Sequence, residues 1–200
     1  MDSVNVPCRS VLMIVGSLRE RSINRQLAKE AASEIAGRAN VEFLDFADVP
    51  LLNQDAEWPP PQAVQRVRRQ VAAADGLWIV TPEYNHGIPG GLKNLIDWLS
   101  RPMRPLGPAA LKGKPVTYCG AAGSSGARYA LAALEAVLRA VRMDVVDVMP
   151  TGVMLDRRAF ETDTLRLTDR DHESLCLQAN LLLLQMGLDT QGRELKRVAA

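Results

Sequence analysis

Short apolar runs alternate with stretches of helical periodicity along this chain, and this alternation limits the possible folds most strongly. The runs that are long and continuous enough for strands are residues 10–16, 41–46, 76–81, 115–120 and 143–149. Continuous hydrophobicity is typical of strands whose two faces are both covered by helices, as in a parallel sheet. The runs therefore predict a parallel sheet of five strands.

Apolar residues spaced three or four apart fill the gaps and predict five helices. In chain order, these helices follow Asn24, follow Pro61, precede Pro102, contain Leu134 and begin near Thr168 or Asp169. The alternation predicts one α/β domain over residues 1–200, a three-layer sandwich with the flavodoxin-like strand order 2-1-3-4-5. Residues 151–168 lack either pattern and are predicted to form a connection outside the core.

Composition and charge exclude several function classes. The formal net charge is +1 without a clustered basic excess, which argues against nucleic acid as a partner. No apolar run approaches the ~20 residues that span a membrane, and the N-terminal residues show no signal-peptide pattern. A cytoplasmic protein is the resulting expectation.

The few potential metal ligands are scattered. Cys8, Cys119 and Cys176 are widely spaced and form no CxxC pair, and the histidines are His86 and His172. This spacing predicts no disulfide framework and no metal site.

Open parallel sheets bind ligands beyond the carboxyl ends of their strands, where the winding reverses. The loops after strands one, three and four should meet there. The first loop, GSLRERSIN, supplies a helix start, hydroxyls and a guanidinium for an anion. Its candidate residues are Gly16, Ser17, Arg19, Ser22, Ile23 and Asn24. The alternative is plain helix capping by Ser22 or Asn24. Without a Walker A or GxGxxG pattern, a monophosphate is favoured over a pyrophosphate.

The loop after the third strand, PEYNHGIPGG, combines stiff and permissive residues. Its candidates for contact with a flat ligand are Pro82, Glu83, Tyr84 and Asn85. Proline reduces the entropy lost on binding, and the neighbouring glycines allow close approach. The alternative is a turn that is merely rich in turn-forming residues. His86 is expected to be a surface group, and no catalytic side chain is predicted.

The loop after the fourth strand, GAAGSSGAR, is rich in small residues. Its candidates are Gly120, Gly123, Ser124 and Ser125, whose free N–H groups suit a ring edge that carries carbonyl oxygens. The GxxGxxG spacing matches the dinucleotide fingerprint only loosely. Packing of the following helix against the sheet is the alternative explanation.

The three loops together resemble those of the NADPH-dependent FMN reductase family, which includes quinone, chromate and azo-dye reductases. The resemblance extends to about residue 150 and includes DVPLLNQD at 48–55. It implies that the first loop holds the FMN phosphate, that residues 82–85 run beside the isoalloxazine, and that the segment from Gly120 to Ser125 meets its far edge.

The resemblance also implies a ping-pong reaction in which NADPH, or NADH as the alternative donor, reduces FMN and a small-molecule acceptor reoxidises it. Quinones, chromate, azo compounds and free flavin are the candidate acceptors. A homodimer or homotetramer is implied. Trp98 is expected at an interface, with ordinary core packing as the alternative, while Trp58 is expected beside a neighbouring subunit's site and Trp78 in the core.

Two other readings remain open at this point. The first is a flavodoxin-like FMN electron carrier without its own nicotinamide turnover, although such carriers are usually acidic and this chain is not. The second is a regulatory or structural protein that kept the fold but not the cofactor.

Overall fold

Six β-strands form one parallel sheet in the computed structural model, which describes residues 9–103 and 107–188. The strands are β1 (Ser10–Val15), β2 (Asn40–Phe43), β3 (Gly76–Thr81), β4 (Pro115–Ala122), β5 (Asp144–Val145) and β6 (Gly152–Met154). The order β2-β1-β3-β4-β5 confirms the prediction of a flavodoxin-like sheet. Cys8 lies outside the described residues.

The fifth position of the sheet differs from the prediction of one strand over 143–149. It is shared by β5 and β6, which pair with opposite ends of β4. The chain leaves the sheet after Val145, and a tight turn in which the Val148 N–H donates to the Val146 carbonyl at 3.0 Å interrupts the strand. The sheet therefore has a divided edge.

Helices cover both faces of the sheet. They are α1 (Ile23–Ile35), α2 (Gln62–Ala73), α3 (Gly90–Leu99), α4 (Arg128–Ala140), α5 (Arg157–Thr162) and α6 (Asp169–Gln185). One core contains Leu77 with Leu92 of α3 and Leu134 of α4. The other contains Trp78, as predicted, with Leu27 of α1 and Leu175 of α6. Neighbouring residues of β3 thus face opposite layers, which gives the three-layer sandwich.

The assignment of residues 151–168 to a connection outside the core is wrong. This segment contains β6 and α5, and Val153, Leu155 and Ala159 are buried in the core on the α1 and α6 side. Only three residues of β6 pair in the sheet, and α5 has six residues, so neither element is long enough to show a clear hydrophobic period.

A buried glutamine fixes the start of β6. The Gln178 side chain accepts hydrogen bonds from the backbone N–H and the hydroxyl of Thr151, and it donates to the Thr117 hydroxyl and the Tyr118 carbonyl. Gln178 is 0% exposed, so each of these bonds satisfies a group that water cannot reach. Helix α6 therefore sets the position of the divided sheet edge.

The prediction that Trp98 lies at an interface is also wrong. Trp98 is 1% exposed, and its indole N–H donates to the Pro50 carbonyl at 2.8 Å. The segment before α2 packs over the face of α3 that does not contact the sheet. Trp58, by contrast, is 41% exposed.

Candidate functional site

The loop between β1 and α1 ends in a helix start with unused donors. Ser22 is the N-cap of α1, and its hydroxyl oxygen accepts a hydrogen bond from the Arg25 N–H. Helix geometry leaves the N–H groups of Ile23 and Asn24 without intrahelical acceptors. Ser17, Ile23 and Asn24 line one cleft, so the capping role of Ser22 leaves donors beside it that suit an anion.

Asn24 joins this helix start to β4. Its side-chain amide donates to the Ala121 carbonyl and accepts from the Ala121 N–H, both at 2.9 Å, and the contact is buried. The amide is committed to these bonds in this structure and is not a free donor for a phosphate. Asn24 can reach a ligand through its backbone N–H only.

The loop between β3 and α3 is a tight hairpin. Tyr84 and Gly87 exchange backbone hydrogen bonds of 3.2 and 3.0 Å. The central residues Asn85 and His86 have φ of 51° and 59°, which matches the type I′ turn for which asparagine is well suited. The turn holds Tyr84 at the rim of the cleft with its side chain exposed, while Asn85 is not among the residues that line the cleft.

Glu83 connects this hairpin to the next loop. Its carboxylate accepts hydrogen bonds from the N–H groups of Tyr129 at 2.9 Å and Ala130 at 3.0 Å, in the first turn of α4. Partial burial raises the pKa of Glu83, but hydrogen bonds from Ala130, the Ser125 hydroxyl and Tyr129 outweigh it, and the net shift is downward. Glu83 is therefore an ionised helix cap that ties two loops of the site together.

The fourth-strand loop begins later than predicted, because β4 continues to Ala122. Gly120 lies inside the strand, where a Cβ would come within 2.4 Å of the Thr81 carbonyl oxygen. This glycine allows β3 and β4 to approach and is not part of the cleft lining. The loop proper runs from Gly123 to Ala127, and Gly123 borders the cleft.

Three residues from the segment after β6 were missed by sequence reasoning. Leu155 and Phe160 add an apolar wall to the cleft. Asp163, which follows α5, forms an ion pair of 2.6 Å with Arg19. The only sequence signal was the apolar content of 151–160, which has no periodicity to interpret.

The loops enclose a cleft of about 160 Å³ at the carboxyl edge of the sheet. The predicted residues that line it are Ser17, Arg19, Ser22, Ile23, Asn24, Pro82, Glu83, Tyr84 and Gly123. The predicted residues outside its lining are Gly16, Asn85, Gly120, Ser124 and Ser125. The sequence thus predicted most of the wall from the first and third loops and less of the fourth.

The donor set of the cleft fits a phosphate monoester. Hydroxyls, helix N–H groups and the Arg19 guanidinium surround one end, and the Glu83 carboxylate is turned to α4. Typical small-ligand pockets are about 300–1,000 Å³, so a mononucleotide would extend from the cleft toward Tyr84 at the rim. The residues present are compatible with FMN.

Within residues 9–103 and 107–188, no three His, Cys, Asp or Glu side chains are grouped as metal ligands would be. No helix of that part of the chain has the length and apolar character to cross a membrane.

Fold and cleft together define a flavodoxin-like α/β protein with a cleft lined by potential phosphate donors at the carboxyl edge of its sheet. The family model of NADPH-dependent FMN reductases matches residues 9–173. The chain therefore belongs to the NADPH-dependent FMN reductase family.

Individual relatives agree with this assignment. An NAD(P)H-dependent FMN reductase of Pseudomonas aeruginosa is 38% identical over 183 residues, which cover 88% of this chain and 93% of the relative. A quinone reductase of Escherichia coli K12 is 35% identical over 176 residues, which cover 79% of this chain and 91% of the relative. The structure is also similar to that of a flavoenzyme NAD(P)H:acceptor oxidoreductase from Paracoccus denitrificans, with a TM-score of 0.78 and 28% sequence identity. The match covers 90% of this chain and 97% of that protein.

Proposed function

We propose that this protein binds FMN in the cleft and catalyses the two-electron reduction of quinones or similar acceptors by NAD(P)H. The observation that carries the proposal is the set of phosphate donors at the start of α1, in a chain of the FMN reductase family. The relatives reported above are named as reductases, which favours an enzyme over the electron-carrier alternative.

FMN, when bound, supplies the redox chemistry of such a site, because it accepts a hydride from the nicotinamide and passes two electrons to the acceptor. The chain supplies binding and orientation. The Ser17 and Ser22 hydroxyls and the N–H groups of Ile23 and Asn24 would hold the phosphate, and Arg19 would neutralise part of its charge. This role requires Arg19 to share or leave its ion pair with Asp163.

The flat part of the cofactor would lie toward Pro82 and Tyr84, where the hairpin is rigid before any ligand arrives. The backbone N–H groups of Glu83, Asn85, His86 and residues 123–125 are the candidates for stabilising negative charge on the reduced ring, because the N–H groups of Tyr84, Gly87 and Gly126 already donate within these loops. No protein nucleophile is required, and we assign no catalytic side chain. Chromate, azo compounds and free flavin are further candidate acceptors.

Anaerobic mixing of the purified protein with NADPH or NADH, followed at the flavin absorbance, tests this function. We expect a yellow protein that bleaches with nicotinamide alone and regains its colour with benzoquinone. A yellow protein that neither nicotinamide bleaches would indicate the electron carrier. A protein that takes up no FMN would contradict the proposal altogether.

We also propose that residues 1–200 form one domain and that the protein is a homodimer or homotetramer. The exposed side chains of Leu51 (82%) and Trp58 (41%), in the segment before α2, support an interface there rather than at Trp98. Analytical ultracentrifugation of the full chain tests this, and a monomer at micromolar concentration would contradict it.

A further inference from the structure

A second and larger concavity, which we call the edge groove, lies beside the divided edge of the sheet. It has a volume of about 650 Å³ and is bounded by α4, by the segment around β6 and by the first turn of α6. This volume falls within the range of small-ligand sites. None of the residues proposed to hold the FMN phosphate lines this groove.

The edge groove carries unneutralised positive charge. Arg128, Arg166 and Arg170 line it and are exposed, and none has an acidic ion-pair partner among the described residues. The acidic side chains of its wall are engaged elsewhere. Glu135 accepts hydrogen bonds from Tyr118 and Arg139.

The other acid, Asp171, is likewise occupied. It accepts hydrogen bonds from the backbone N–H and the hydroxyl of Thr168 in the capping box of α6. The guanidinium groups of Arg166 and Arg170 are thus available to an anionic ligand, while Arg128 already donates to the Tyr129 hydroxyl at 2.7 Å. Arginine suits phosphate because its planar fork can make paired hydrogen bonds.

The groove also has an apolar wall. Met149 is 83% exposed and Met154 is 72% exposed, and Pro150 lies between them in the chain and lines the groove with them. Large apolar side chains at such exposure are typical of binding surfaces, and methionine adapts its shape to a flat ring. Phosphate-binding and ring-binding groups therefore occur in one concavity.

The loop between β4 and α4 separates the groove from the cleft. Ser125 and Gly126 line the groove, while Gly123 lines the cleft. Arg128 lies over the Tyr129 ring at 4.6 Å, and the Tyr129 N–H is bound by Glu83 of the cleft. A ligand with one end at the cleft rim and the other in the groove would cross this short loop.

We propose that the edge groove binds the phosphorylated adenosine end of NADPH, with its arginines holding the 2′-phosphate and its methionines contacting the adenine. This inference rests on the proposed function, because it supplies the site for the part of the dinucleotide that does not react. NADH lacks the 2′-phosphate, so the groove makes the protein prefer NADPH over NADH.

Direct binding of adenosine 2′,5′-bisphosphate to the FMN-loaded full chain, measured by isothermal titration calorimetry, tests the proposal without turnover. The double variant Arg166→Gln, Arg170→Gln removes two exposed charges and is expected to bind this probe about tenfold more weakly than the unchanged protein. Arg69→Gln, on α2 and outside the groove lining, is the control for loss of a surface charge elsewhere and should leave binding unchanged. Equal affinity of the double variant and the control would overturn the proposal.

A second arm separates the 2′-phosphate from phosphate in general. We expect adenosine 5′-monophosphate and inorganic phosphate to bind more weakly than the bisphosphate and to respond less to the double substitution. Equal binding of all three probes would show a general anion site and contradict the assignment.

Steady-state kinetics distinguish failure of this inference from failure of the proposed function. The double variant should raise KM for NADPH about tenfold while KM and kcat with NADH stay unchanged. If NADH reduces the bound FMN but KM for NADPH does not change, only the groove assignment fails. If neither nicotinamide reduces a bound flavin, the proposed function fails first.

Discussion

Glu83 connects two loops of the candidate site, and its removal should cost both stability and FMN affinity. The carboxylate caps the first turn of α4 through Tyr129 and Ala130, at 2.9 and 3.0 Å. Glu83→Ala leaves both N–H groups without this acceptor and releases the hairpin from the helix. Glu83→Gln keeps an acceptor oxygen but removes the negative charge that the helix N-terminus favours.

The magnitudes follow from the two bonds and the partial exposure of Glu83. A helix cap contributes about 1 kcal/mol, and hydrogen bonds to a charged group contribute roughly 1.5–3 kcal/mol each when desolvated. The carboxylate is half-exposed, so we expect a loss of about 2 kcal/mol for Glu83→Ala. This corresponds to a fall in Tm of about 4–8 °C for a protein of this size. For Glu83→Gln we expect a loss of about 1 kcal/mol.

Urea unfolding followed by circular dichroism, together with FMN titration by fluorescence quenching, measures both effects. Glu161→Ala is the matched control, since among the described residues Glu161 forms an exposed ion pair with Arg157 alone, and its loss should change the free energy of unfolding by less than about 0.5 kcal/mol. Equal stability and equal FMN affinity of Glu83→Ala and this control would refute the role of the cap.

The lowered pKa of Glu83 adds a pH dependence to the same comparison. A carboxylate whose pKa is depressed on folding stabilises the protein fully above its ordinary value of 4.5 and loses that contribution as the pH falls through the folded-state pKa. The stability gap between the unchanged protein and Glu83→Gln should therefore be constant near neutral pH and shrink below about pH 4.5. A gap that stays constant into strong acid would show that the charge is not responsible.

Three further substitutions test individual contacts. Asn24→Ala should lower the free energy of unfolding by about 2–4 kcal/mol, because it leaves the buried N–H and carbonyl of Ala121 without partners, and chemical denaturation measures this loss. Gly120→Ala should lower it by at least about 2 kcal/mol, since the new Cβ meets the Thr81 carbonyl oxygen at 2.4 Å, and near-neutral stability would contradict that geometry. Arg19→Ala should weaken FMN binding about tenfold while free riboflavin, which has no phosphate, binds unchanged, and an unaltered Kd for FMN would refute the phosphate contact.

The layered fold was accessible from sequence because its elements are long and strongly periodic. The strand order follows from the alternation of strands and helices, and even the start of α6 at Asp169 was marked by the capping residue Thr168. The divided edge was not accessible. Residues 143–149 are apolar apart from Asp144 and Asp147, and only the turn at Val146–Val148 shows that the chain leaves the sheet.

Burial of Trp98 was mispredicted for a related reason. A helical pattern identifies the face that meets the sheet, but it does not reveal a loop that folds over the opposite side. The partner of the Trp98 indole is Pro50, which is 48 residues away in the chain.

The candidate site was likewise predicted only in part, because some of its hydrogen bonds join residues that are far apart in the chain. Topology places the loops after β1, β3 and β4 together, so the residue types of the cleft could be predicted. The commitment of Asn24 to Ala121 and of Glu83 to α4 could not, because these partners are 97 and about 46 residues apart. Those bonds decide which groups remain for a ligand.

A crystal structure of the FMN-loaded protein would show whether the start of α1 holds the cofactor. We expect the phosphate to lie within hydrogen-bond distance of the Ser17 and Ser22 hydroxyls and of the N–H groups of Ile23 and Asn24, with the ring beside Tyr84. A phosphate bound in the edge groove instead, or a flavin with no contact to the start of α1, would contradict it.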